Sequence, residues 1–197
     1  MKPPKNQKVA QAILDAAQAR FLTQGFQKTS IADLAADCQM SPANLYRYFD
    51  GKKEIGAQVV ARFVKHSRAL ADQFRNLPDL TAAKRIEGFC LEILRFNHHV
   101  FLSQTHLFEL IRLISNIRPQ MAKEHVGIKV EFLEHCLTLG LKNGEFAPGE
   151  VSGQTLFNGL IKFLMPHFIA PPAPPLPELE SQALSVLQLL FKGLAKR

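Results

Sequence analysis

The chain has 197 residues, 47% of them hydrophobic and 21% charged, a balance that excludes a disordered polypeptide and suits one large domain, or a small domain joined to a larger one. Its formal net charge is +7, and the excess is concentrated. Through Arg75 twelve Lys/Arg stand against six Asp/Glu, whereas from Asn76 onward there are twelve against eleven, so a polyanionic partner is expected at the N-terminal third, although basic charge alone does not decide it.

Apolar residues recur at spacings of three and four, and sustained alternation between hairpin turns is absent, so the expected fold class is all-α with about nine helices. The spacing of Val9, Ile13, Ala16, Ala17, Phe21 and Leu22 predicts a first helix over 8–24. Gly25 then offers a left-handed C-terminal cap, and Phe26 returns to the core. Thr29 and Ser30 open a second helix, in which Ser30 and Asp33 form a capping box; Ile31, Leu34 and Ala35 face inward, and the helix ends near Asp37 or Cys38. After Gln39 and Met40, Ser41 is an N-cap and Pro42 stands at the first helical position, where its missing N–H costs nothing. This predicts a third helix over 42–48, and Asp50 is expected to cap a fourth over 52–74.

The segment 77–81 breaks the pattern. Later helices are expected over 82–101, 104–116, 119–141, 152–168 and 178–194, with the proline-rich 170–177 as a stiff connector rather than a peptide ligand. The expected organisation is a helix-turn-helix domain over 1–50, a connecting helix over 51–76, and an effector-binding and dimerisation domain over 77–197.

Two short helices joined by about four residues, after a longer helix, make a helix-turn-helix whose second member enters the major groove. At 100° per residue, Leu45 facing the core brings Phe49 inward about 40° away, while Ala43 and Arg47 lie near the opposite pole, flanked by Asn44 and Tyr46. A guanidinium pairs with guanine, an amide with adenine, and a methyl meets the thymine methyl. Thr29, Ser30, Ser41, Tyr48 and Lys52, at or beside helix ends, suit phosphate contacts. The bland alternative is an ordinary solvated helix face.

The run Leu45-Tyr46-Arg47-Tyr48-Phe49, followed three residues later by Lys52 and preceded by Gly25, Phe26 and Thr29, resembles the TetR family signature over 9–55. The resemblance implies a homodimer whose N-terminal helices bind double-stranded DNA. It also implies a divergent C-terminal domain that binds an effector, usually separating the two recognition helices and releasing the operator. One position departs from the pattern: Gln39 stands where the family usually has glycine, and a left-handed non-glycine residue costs about 1 kcal/mol.

Candidate effector-pocket residues are Phe89, Ile93, Phe96, Asn97, Phe108 and Ile111, which would serve an ordinary core equally well. His98, His99 and His106 are nearby polar groups, with no Cys or acidic partner at convincing metal-ligand spacing. Phe157, Leu160, Ile161 and Leu164, with Leu187, Leu190 and Phe191, would form a four-helix dimer interface about a two-fold axis, or else complete the monomer core. Cys38, Cys90 and Cys136 fit reduced thiols. With neither a signal peptide nor a long apolar span visible, the expected location is cytoplasmic, without a membrane partner. No catalytic motif, cofactor or metal site is expected. The expected function is that of a repressor released by a small apolar or amphipathic effector; the alternative is a helical small-molecule- or protein-binding module with a non-functional DNA-binding segment.

Overall fold

A computed structural model describes residues 6–103, 106–149, 151–164 and 174–195, with side chains outside 100–103 and 161–164. The described residues form nine helices and no strand: α1 Gln7–Gln24, α2 Ile31–Asp37, α3 Pro42–Leu45, α4 Lys52–Asn76, α5 Ala82–Ser103, α6 Leu107–Ile117, α7 Pro119–Lys142, α8 Gly153–Leu164 and α9 Leu176–Leu194. The all-α class expected from periodicity is what the chain adopts.

The boundaries differ from those expected at the starts of two helices. α9 starts two residues before the expected position, because Pro177 sits in its first turn, where proline needs no partner for a missing N–H. Asp50 does not stand directly before α4; Gly51 does, and the Glu54 carboxylate reaches back to accept the Asp50 N–H at 2.5 Å. Of the span expected ahead of α6, Gln104 and Thr105 lie outside the described residues, as do 165–168 of the eighth expected helix, and His106 precedes the first turn.

The chain divides into two compact units, and α4, α5 and α7 each carry residues of both. The first comprises Met1–Lys65 and Val100–Lys123. Here α1 packs on α2 and α6, and α2 packs on α3. Ile13, Ala17 and Phe21 of α1, Leu34 of α2, Leu45 of α3 and Ile55 of α4 are buried, as are Leu110 and Ile114 of α6. The buried stripe of α6, Leu107, Leu110 and Ile114, spaced three and four apart, is part of the unit that holds the first three helices.

The second unit comprises His66–His99 and Glu124–Arg197. Its core holds Ile86, Phe89 and Leu94 of α5, Phe132, Leu133 and Cys136 of α7, Leu156 and Leu160 of α8, and Leu179 and Leu187 of α9. The Phe89 and Phe132 rings lie 4.2 Å apart. Helix ends here are tied by distant side chains. Glu145 accepts the N–H groups of Ala82 and Ala83 at 2.7 and 2.8 Å, at the start of α5. The buried Arg85 guanidinium donates to the carbonyls of Phe74 and Arg75, at the end of α4, and to Leu80.

Candidate nucleic-acid interface

Helix α3 is short because its last turn tightens. The Tyr46 N–H still reaches the Pro42 carbonyl, but those of Arg47 and Tyr48 close on Asn44 and Leu45, three residues back. The helical course expected to Tyr48 therefore continues as a turn, and the partition of side chains follows the angular argument. Leu45 and Phe49 are buried, Ala43 and Arg47 are exposed, Tyr46 is 51% exposed, and Asn44 and Tyr48 are half-buried. Both expected caps form. Ser41 Oγ accepts the Asn44 N–H at 3.2 Å. Ser30 Oγ accepts the Asp33 N–H at 3.1 Å, while the Asp33 carboxylate accepts the Ser30 N–H at 2.7 Å. The Ser30 hydroxyl and N–H together hold the Asp33 carboxyl below its usual range.

The turn between α2 and α3 is closed by Cys38 N–H to Leu34 O, Gln39 N–H to Ala36 O and Met40 N–H to Ala35 O. Gln39 adopts φ 53°, so the left-handed geometry is kept with a glutamine. Gly25, at the end of α1, has φ 90° and ψ 147°: positive as expected, yet extended rather than helical in ψ, and its N–H closes on Phe21 O.

Besides the two cap serines, Thr29 and Lys52 of the nine expected contact residues are engaged within the protein. Thr29 is 2% exposed, and its hydroxyl donates to Gly25 O at 2.9 Å, bracing the link between α1 and α2. Lys52 donates from Nζ to Phe26 O at 3.0 Å and Thr29 O at 2.7 Å, with the ammonium 4.6 Å above the Phe26 ring. Burial pulls its pKa below the usual lysine value. Of the three ammonium donors, these bonds use two. Ser30, Ser41, Ala43, Tyr46 and Arg47 are exposed.

Charge is distributed unequally across this unit. Arg20 of α1 grips Asp37 of α2 through Nε and Nη2 at 2.5 and 2.7 Å. That bidentate pair lowers the aspartate pKa and raises that of the arginine. Arg62 pairs with Asp15 at 2.8 Å and donates to Gln18. Among the described residues Lys28, Arg47 and Lys53 make no ion pair, and all three are exposed. The outward side of α3 and the start of α4 thus keep positive charge uncompensated. The periodicity of the chain identified the face; nothing in it signalled the Arg20–Asp37 brace, whose partners stand seventeen residues apart.

The expected effector residues are divided between the units. Phe89 and Ile93 lie in the core of the second, where Phe96 stacks on His66 at 4.4 Å and Asn97 is half-buried. Phe108, 39% exposed, and Ile111, half-buried, belong to the first. His98 Nε2 lies 3.3 Å from Pro174 O, His99 is exposed, and His106 Nδ1 lies 3.3 Å from Glu109. Of the expected interface residues, Leu160 and Leu187 are buried within the second unit, while Phe157, Leu190 and Phe191 are half-buried. The side chains of Ile161 and Leu164 lie outside the described residues. Leu189, overlooked in the sequence, is 74% exposed on α9.

The three cysteines are free, and burial pushes Cys90 and Cys136 up to about 12. Among the described residues no three His, Cys, Asp or Glu gather as a metal site, and no helix is long and apolar enough to cross a membrane.

A three-helix unit that turns an exposed arginine, tyrosine and small methyl outward from the capped α3 and the turn after it defines the class: a helix-turn-helix DNA-binding domain. Residues 13–59 match the model of the bacterial regulatory proteins of the tetR family, so this segment is a tetR-family domain. No curated protein sequence matches the chain. Among solved structures, a transcriptional regulator from Cytophaga hutchinsonii is similar with TM-score 0.74 at 20% identity, covering 97% of this chain and 100% of its own. GusR of Salmonella enterica is similar with TM-score 0.73 at 18% identity, covering all of both chains. The TetR family transcriptional regulator PfmR of Thermus thermophilus aligns with TM-score 0.60 at 23% identity, over 93% of this chain and 99% of its own. The fold of such regulators therefore extends over nearly the whole chain.

Proposed function

We propose that this protein is a DNA-binding transcriptional regulator that acts as a homodimer and releases its operator when a small apolar or amphipathic effector binds the larger helical unit. The observation that carries the reading is the exposed, unpaired Arg47 beside Tyr46 and Ala43, projected from a helix anchored by buried Leu45 and Phe49. Arg47 reads a guanine edge and Asn44 an adenine edge, with Ala43 and Tyr46 beside them. Ser41, Tyr48 and the remaining Lys52 donor position the domain on phosphates, while Ser30, whose hydroxyl and N–H both donate to Asp33, holds the start of α2. Thr29 contributes by holding the α1–α2 link, since its hydroxyl is occupied.

A two-fold partner places the recognition helices about 34 Å apart, one DNA turn. Exposed Leu189 with half-buried Phe157 and Leu190 supports a self-complementary apolar face on α8 and α9. An effector acts only through a difference in affinity between DNA-compatible and incompatible spacings. Repression follows from operator occupancy in its absence.

The test is selection of bound sequences from a random duplex pool, with salt titration of the selected and random duplexes. Salt-steep binding and a recovered two-fold site support the reading, and Arg47→Ala should lower discrimination between sites, by about 1–3 kcal/mol at the position it reads. Absence of binding at low salt would instead favour a small-molecule- or protein-binding module with an idle DNA segment. An unchanged sequence preference in Arg47→Ala would remove that residue from its assigned role.

A further inference from the structure

Gln39 combines three features, of which the turn itself requires only the first. Its backbone is left-handed at φ 53°, a conformation that crowds any side chain with a Cβ and that glycine adopts freely. Its side chain is exposed, so no packing accounts for it. Its carboxamide makes no hydrogen bond among the described residues, although the N–H groups of Cys38, Gln39 and Met40 all close the turn. An Asn or Asp in such a turn bonds its own backbone; this glutamine does not. The turn accounts for the backbone, but nothing inside the protein accounts for a glutamine in place of glycine, and a strained residue with an idle polar group directs attention to an external partner.

Position identifies that partner. Gln39 stands two residues before Ser41, the exposed cap of α3, so their Cα atoms are at most about 7 Å apart. Ser41, Ala43, Tyr46 and Arg47 are exposed from the same short segment, and a glutamine side chain reaches beyond the backbone that carries it. Resting on the DNA-binding reading above, we infer that Gln39 is a DNA contact: its amide donates to a phosphate oxygen flanking the base pairs read by α3. Glutamine is a common donor to phosphate oxygens, and such contacts set register without reading sequence. Because the amide is neutral, the contact displaces no counterion, which separates it from a lysine or arginine contact.

The experiment compares wild type, Gln39→Gly and Gln39→Ala for thermal midpoint and for binding to a wild-type-selected duplex and a random-sequence duplex across a salt series. Gln39→Gly relieves the strain and deletes the amide. It should melt about 2–4 °C higher yet bind both duplexes roughly 3–10-fold more weakly, with the salt slope unchanged. Gln39→Ala deletes the amide and keeps the strained conformation, so it should lose the same affinity without the gain in midpoint. If Gln39→Gly gains stability and binds both duplexes as tightly as wild type, the inference is overturned. A loss confined to the selected duplex also overturns it, since that assigns Gln39 to a base edge. Failure of wild type itself to bind either duplex overturns the DNA-binding reading, a result distinct from both.

Discussion

Replacing Lys52 by methionine separates architecture from DNA contact at one position. Methionine keeps an unbranched stem of similar length and removes the ammonium that bonds Phe26 O and Thr29 O at 3.0 and 2.7 Å. Hydrogen bonds from charged groups are worth about 1.5–3 kcal/mol each in mutational series. Lys52 is half-buried, so water recovers part of the loss at the freed carbonyls, and the lower end applies. Loss of the ammonium above the Phe26 ring adds on the order of 0.5 kcal/mol. Relief of the ammonium's desolvation, the cause of its lowered pKa, is already contained in such net values. The expected destabilisation is about 3.5 kcal/mol, or about 7–14 °C in midpoint for a chain of this size. Lys53→Met is the control: Lys53 is exposed with no ion pair among the described residues, and should move the midpoint by about 1–2 °C at most. Thermal and urea unfolding followed by circular dichroism measure both. If Lys52→Met melts with Lys53→Met, the clamp assignment is wrong. Salt-dependent DNA binding then reports the third ammonium donor: loss of a phosphate contact lowers the slope by about 1, whereas loss of architecture alone leaves it unchanged.

Two further outcomes test the second unit. A Cβ on Gly153, at the start of α8, would lie 2.6 Å from Val130 O and 2.7 Å from Glu134 N, both backbone atoms of α7. Gly153→Ala should cost about 1–3 kcal/mol by urea unfolding, while Gly159→Ala, whose Cβ meets nothing within 4 Å, should cost none; equal stability of the two variants would contradict this packing. His125 lies 3.0 Å from the buried Ser67 hydroxyl, and burial, then repulsion from Lys129, lowers its pKa from 6.5 to about 4. Above pH 6.5 the ring is neutral folded or unfolded. As pH falls from 6.5 to 4 only the unfolded chain takes up the proton, so stability should fall by up to about 3 kcal/mol and change no further below that. Lys129, at about 8, stays charged through this window and contributes no slope. His125→Gln should flatten the pH profile of the midpoint between 6.5 and 4, and an unaltered profile would assign the dependence elsewhere.

Much of the molecule follows from interactions within four residues along the chain. The helix class, the Ser30–Asp33 box, the Ser41 cap with Pro42, and the inward Leu45 and Phe49 against outward Ala43, Tyr46 and Arg47 are consequences of helical periodicity and of orphan N–H groups seeking nearby acceptors. These were legible because sequence spacing and spatial spacing coincide inside a helix. The left-handed backbone at Gln39 belongs here too, since a turn of this length requires it.

What spacing could not carry is which distant group a side chain meets. Thr29 and Lys52 carry chemistry suited to phosphate, and the tertiary structure spends one wholly and the other in part on carbonyls at the α1–α2 link. Arg20 finds Asp37, Glu145 finds the start of α5, and α6 packs on α1. These three choices, unlike that of Thr29 for a carbonyl four residues back, are made across seventeen residues or more. A charged or apolar side chain is compatible with many partners, and only packing decides which one arrives within hydrogen-bond or van der Waals distance.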